Sequence, residues 1–141
     1  MQQPRETLFA ALFARVSAVP GLVTASRRLV HVNDVSPTAQ PALFMAQTHQ
    51  QAQYNTGRTT IWSLGAVLYL YVRDPAGAIP GQLFNSLLDG VEAALAPDNV
   101  QSNACTLGGL AQWVRIGDIE TDEGTLGEQS IARIPIDISA W

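Results

Sequence analysis

His31, His49 and Cys105 are the side chains in this sequence best suited to nucleophilic, acid–base or metal chemistry, and their spacing supports none of the three. Neither histidine has a ligand-type neighbour three or four residues away on a helical pattern, as a metal or base site commonly requires. Both read as ordinary strand residues. No nucleophile-elbow pattern surrounds any serine, so a pairing of His with Cys105 or a serine has no local support. A single cysteine excludes an intramolecular disulfide and a zinc-type cysteine set, and Cys105 reads as a small buried hydrophobe suited to a reducing cytoplasm.

Two further segments invite a chemical reading. Asp118, Glu120 and Asp122 alternate as calcium-loop ligands do, but Gly124 stands one place late and the twelfth position holds Gln129, so a solvated acidic hairpin turn is the better reading. Leu107-Gly108-Gly109-Leu110 lacks the lysine, the glycine spacing and the following helix of a phosphate loop. It reads as a tight turn entering a strand. Trp62, Trp113 and Trp141 fit core or interface anchors, and the terminal Trp141 should fray unless something holds it. No catalytic centre, cofactor or metal is expected.

The elements that position these residues follow from hydrophobic periodicity. Leu8, Phe9, Leu12, Phe13 and Val16 form the stripe of an amphipathic helix from about Pro4 to Ala18, stopped by Pro20-Gly21. Val23 to Val32 reads as a strand with Arg27 and Arg28 on opposite faces, and Asp34 to Pro41 as a loop. Ala42 to Gln53 and Thr59 to Arg73 read as a long hairpin around Tyr54-Asn55-Thr56-Gly57-Arg58. Alternation puts Trp62, Leu64, Ala66, Leu68, Leu70 and Val72 on one face, and Ile61, Ser63, Gly65, Val67, Tyr69 and Tyr71 on the other. At ~3.3 Å per residue the second strand would run to about 50 Å, so the polar tip, around 47–60, should project past the core.

Leu83, Phe84, Leu87, Leu88, Val91 and Leu95 mark a second helix that begins near Pro80 and ends before Pro97-Asp98, and this stripe is expected to be core. Gln112 to Glu120 and Ser130 to Ser139 read as the last strands. The order is α-β-β-β-α-β-β: one α+β domain over 1–141, a two-layer sandwich with both helices on one face of a mainly antiparallel sheet of four to five strands. The opposite face lacks a cover, and Tyr69 and Tyr71 would form an exposed apolar patch there.

Composition agrees with a protein that works through surfaces. Of 141 residues, 47% are hydrophobic, enough for one core, while only 14% are charged, against roughly 25% in typical soluble proteins. A net charge of −4 offers no basic field for phosphate backbones or anionic lipid. Arg27-Arg28 is too short for a basic patch, although a ring of copies would turn it into a local belt. No segment approaches the ~20 apolar residues of a membrane span, and the N-terminus has no signal-peptide pattern.

Several segments in order resemble the tail terminator (tail completion) proteins of long-tailed bacteriophages and prophages, the lambda tail terminator type. They are Arg5-Glu6-Thr7-Leu8-Phe9-Ala10-Ala11-Leu12-Phe13, Thr24-Ala25-Ser26-Arg27-Arg28-Leu29, Gln40-Pro41-Ala42-Leu43-Phe44, Leu87-Leu88-Asp89-Gly90-Val91-Glu92-Ala93-Ala94-Leu95-Ala96-Pro97, Thr106-Leu107-Gly108-Gly109-Leu110 and Ile119-Glu120-Thr121-Asp122-Glu123-Gly124. The resemblance implies a non-enzymatic virion protein assembled in the host cytoplasm: a homohexameric ring at the head-proximal end of the tail that stops tube polymerisation and receives the head. Its implied partners are its own copies, the tail tube protein and a head–tail connector or neck protein, with DNA only passing through the lumen. Arg27, Arg28, Gln50, Gln53, Tyr54, Arg58, Tyr69, Tyr71 and Trp141 are the expected interface residues. A connector or neck ring, or a small monomeric ligand-binding domain or enzyme, are the alternative readings.

Overall fold

The computed structural model describes residues 1–79, 81–122 and 127–141. Its elements are α1 (Arg5–Ser17), β1 (Thr24–Ser26), β2 (Ala42–Gln53), β3 (Ile61–Arg73), α2 (Gln82–Ala94), β4 (Trp113–Ile116), β5 (Glu120–Thr121) and β6 (Gln129–Ala140). The expected start of the second helix at Pro80, and Glu123 and Gly124 of the acidic turn, lie outside the described residues. The sheet runs β1-β2-β3-β6-β4, with β5 also paired to β6. All pairs are antiparallel except β1 with β2. The α+β sandwich therefore matches the periodicity, and the element order does so apart from a third strand after α2, which brings the sheet to six strands where four to five were expected.

One face of the sheet buries Leu43 and Met45 of β2, Leu64, Leu68 and Leu70 of β3, and Ile134, Ile136 and Ile138 of β6. Leu8, Phe9, Leu12 and Val16 of α1 and Phe84, Leu87 and Val91 of α2 close over them. Leu83, in the first turn of α2, departs from the expected stripe and is exposed. Gly90 lets α2 press against the turn after α1: a Cβ there would lie 2.6 Å from Val19 Cγ1.

Three segments differ from their expected form. The first strand is only three residues long, since the Arg28 N–H turns back to the Ser26 Oγ at 3.0 Å. Arg27, Arg28 and His31 thus lie beyond it, in a segment of two short 3-10 turns (Val32–Asp34 and Pro37–Ala39), and the His31 Nδ1 accepts the Asn33 N–H. The strand expected over 112–120 is broken opposite Pro135, which has no N–H to offer a ladder. Gly117 N–H donates to the Pro135 carbonyl at 2.8 Å, and pairing resumes one residue out of step at Glu120 with Arg133. The hairpin is a supported structure, because β6 pairs with β3 as far as Trp62 and leaves only the connection 54–60 beyond the paired strands.

A bulge in β2 redirects the polar half of the hairpin. Gln47 pairs with Ala66 and Gln50 with Leu64, so Thr48 and His49 together oppose Gly65. Gly65 leaves room for these side chains, since a Cβ at 65 would lie 2.4 Å from Thr48 Oγ1 and 2.5 Å from the His49 ring, and both would have to move. Past this bulge Gln50 shares a cross-strand position with core-facing Leu64, where strict alternation would have turned it outward.

The largest departure lies on the other sheet face. Val30, Val32 and Val35, from the segment after β1, pack on Ala42, Phe44 and Tyr71 in a second apolar cluster. A buried pair of amides anchors the far end of this cover. Gln40 Nε2 donates to Gln129 Oε1 at 3.0 Å, Gln129 Nε2 returns a bond to Gln40 Oε1 at 2.9 Å, and the Gln129 amide also reaches the Val72 and Ser130 carbonyls. Replacing Gln129 by leucine should lower stability by about 1–2 kcal/mol in urea titration, because the Gln40 amide stays buried without its reciprocal partner. Gln129→Leu with Gln40→Leu should recover part of that loss.

Candidate interaction surfaces

The residues expected to meet other subunits fall into three groups. Arg27 and Arg28 flank the β1 edge. Arg27 forms a two-pronged ion pair with Glu6 of α1, Nη1 to Oε1 and Nη2 to Oε2, the latter at 3.1 Å. The hydrogen-bonded guanidinium lowers the Glu6 carboxyl below its ordinary range, and the carboxylate raises the Arg27 guanidinium. Arg28 is exposed and has no ion pair among the described residues. Val23 at 61% and Leu29 at 47% exposure flank β1 on either side, so this edge presents apolar side chains together with the Arg28 cation.

The hairpin holds the second group. Gln50 is exposed but not free, since its Oε1 accepts from Arg5 Nε at 2.6 Å, and the same guanidinium lies 4.6 Å from the centre of the Trp62 ring. These contacts tie the polar half of β2 to the first turn of α1. Gln53 and Arg58 are exposed, and Tyr54 at 78% exposure puts an aromatic ring into solvent at the tip.

Tyr69, Tyr71 and Trp141 complete the set, and the two tyrosines do not form the exposed patch expected of them. Tyr71 is 5% exposed and its hydroxyl donates to the Val30 carbonyl at 2.8 Å. Burial pushes its phenol pKa up, with neighbouring Tyr69 adding to the shift. Tyr69 is half-buried beside the same cluster, and Val67 is buried. The cover supplied by the 30–35 segment removes the patch. Trp141 is held, its carbonyl accepting the Gln2 N–H at 2.6 Å.

The positions weighed for chemistry have structural work. Cys105 is buried, with Arg15 Nη1 3.7 Å from its sulfur. Gly108 and Gly109 take positive φ in a turn that leads into β4. Gln129, the twelfth position of the calcium pattern, is spent on the buried amide pair. Among the described residues no group of three or more His, Cys, Asp or Glu is placed to hold a metal ion, and no helix is long and apolar enough to cross a membrane.

Two features had no clear sequence signal. Asp98 organises the 98–108 loop: Oδ1 accepts from the Thr106 N–H and hydroxyl at 2.8 and 2.7 Å, and Oδ2 from the Gly108 N–H at 3.0 Å and Arg15 Nη2 at 2.7 Å. These donors hold its carboxyl far below the ordinary range, the Thr106 hydroxyl contributing most. The other is a groove of about 780 Å³ between the C-terminal half of α2 and the β4–β5 edge, floored by Val91, Leu95, Val114, Ile116 and Ile134. Asp89 and Glu92 stand on its rim.

No protein-family model matches the chain, and no curated protein matches it. Among solved structures, the fold is similar to a chain of "Virion of native gene transfer agent (GTA) particle", with a TM-score of 0.56 at 12% identity. The match covers 94% of this chain and 92% of that one. At this identity the likeness is one of fold.

Proposed function

We propose that this chain is a structural virion protein, a tail terminator that forms a homohexameric ring on the head-proximal end of a phage tail tube. The ring ends tube polymerisation and offers the surface to which the head joins; neighbouring copies, the tube protein and a connector or neck protein are its partners. The observation that carries this reading is the end-to-end likeness of fold to a chain of a gene transfer agent virion, reached without a matching sequence family. The ordered motifs in α1, the β1 edge, α2 and the Gly108-Gly109 turn support the same assignment.

The surfaces suit such a subunit. A closed ring joins two different flanks of each copy, and further faces must meet tube and head. The sheet has two unlike edges, and the exposed Tyr54 tip extends past the paired strands. No site for a reacting substrate is needed. Deleting the gene from the source phage or prophage should give headless tails of uncontrolled length in electron micrographs. Tails of normal length that merely fail to join heads would overturn the assignment in favour of a neck component.

A further inference from the structure

Resting on that ring reading, we infer that the ring closes by docking the β1 edge of one copy into the α2–β4 groove of the next. The two surfaces sit at opposite ends of one sheet, with β2, β3 and β6 between them. At ~4.8 Å per strand they are roughly 19 Å apart, so one chain cannot satisfy its own groove. Contact between opposite edges is head-to-tail, the geometry that generates closed rings.

The surfaces are complementary in kind. The groove is apolar at its floor and extends to Ile119, 42% exposed. Val23 and Leu29 are the matching apolar side chains on the β1 edge. The charges also match. Asp89 and Glu92 on the groove rim form no ion pair among the described residues, nor does Arg28 on the facing edge, whereas Arg27 is already neutralised by Glu6. Asp34 shares a shallow hollow with Arg28 but no ion pair joins them. Desolvated Arg–carboxylate contacts at the rim would set the register of one copy on the next.

Cysteine cross-linking of the full chain tests this contact. Leu29→Cys with Ile119→Cys should, on mild oxidation, give a ladder of covalent oligomers, since the two positions are too far apart to bridge within a chain. Each variant with only one of the two substitutions, in which the native Cys105 stays buried, should give no ladder. In sedimentation, Arg28→Glu should raise the dissociation constant roughly tenfold, and adding Glu92→Arg should restore it. A wild-type oligomer without the cross-linked ladder, or with association unchanged in Arg28→Glu, overturns this contact while leaving the ring itself intact. A wild-type chain that stays monomeric to its solubility limit overturns the ring and the contact together.

Discussion

Tyr71→Ala is expected to lower the stability of the folded chain by about 3–5 kcal/mol, read as a fall in the urea midpoint. The ring is buried under Val30, Val32 and Val35, its centroid lies 5.4 Å from that of Phe44, and its hydroxyl holds the Val30 carbonyl. Alanine would leave a cavity that the sheet cannot collapse into, and would free the cover from its central anchor. Tyr71→Phe keeps the volume and gives up one hydrogen bond, so its cost should be only about 1 kcal/mol. The consequence for assembly is direct: weakened ring formation in Tyr71→Ala would follow from a loosened subunit. A Tyr71→Ala protein as stable as wild type yet unable to assemble would show that the residue contacts another subunit.

Asp98→Ala should cost about 2–3 kcal/mol at neutral pH, because it removes the acceptor of three loop hydrogen bonds and of the Arg15 ion pair at once. Water reaching the partly exposed loop replaces some of these bonds, which keeps the figure below that of a fully buried pair. The same carboxylate makes stability depend on pH. Its folded pKa is depressed below the ordinary 3.8, so the unfolded chain takes up the proton first. The contribution is complete above about pH 5 and is lost as pH falls through the ordinary carboxylate range toward the folded value. Urea midpoints of wild type and Asp98→Asn, measured between about pH 7 and about pH 3, should therefore converge on acidification. A gap that stays constant would mean that Asp98 acts through shape alone.

The legible parts of this protein are those whose pattern is local. Leu8, Phe9, Leu12 and Val16, or Phe84, Leu87 and Val91, reveal a helix face because adjacent turns share one side. The two faces of β3 are legible for the same reason. His49 shows where this stops. Its place in a strand is legible, but the bulge it forms with Thr48 depends on a glycine 16 positions away in sequence having no Cβ in their path, and it brings the imidazole Nε2 to 3.4 Å from Asp137 of β6. The interface set divides likewise. Tyr54 and Arg28 are exposed, whereas Gln50, Arg27 and Tyr71 have partners on α1 or in the cover segment, with which they share no sequence pattern.

The valines at 30, 32 and 35 are the sequence's sign of a cover, since apolar residues outside regular elements need somewhere to pack; a strand ending at Val32 and a loop containing Val35 point elsewhere. By itself the sequence determined two amphipathic helices, a sheet with one strongly apolar face and an acidic, low-charge composition, since each is set by composition or by short-range period. Only the tertiary structure decided that the second sheet face is roofed, that Asp98 ties α1 to a loop more than eighty residues away, and that an apolar groove and Arg28 lie at opposite sheet edges. Those features arise where segments distant in the chain meet, and burial and hydrogen bonding there are properties of the pairing, which neither segment carries alone.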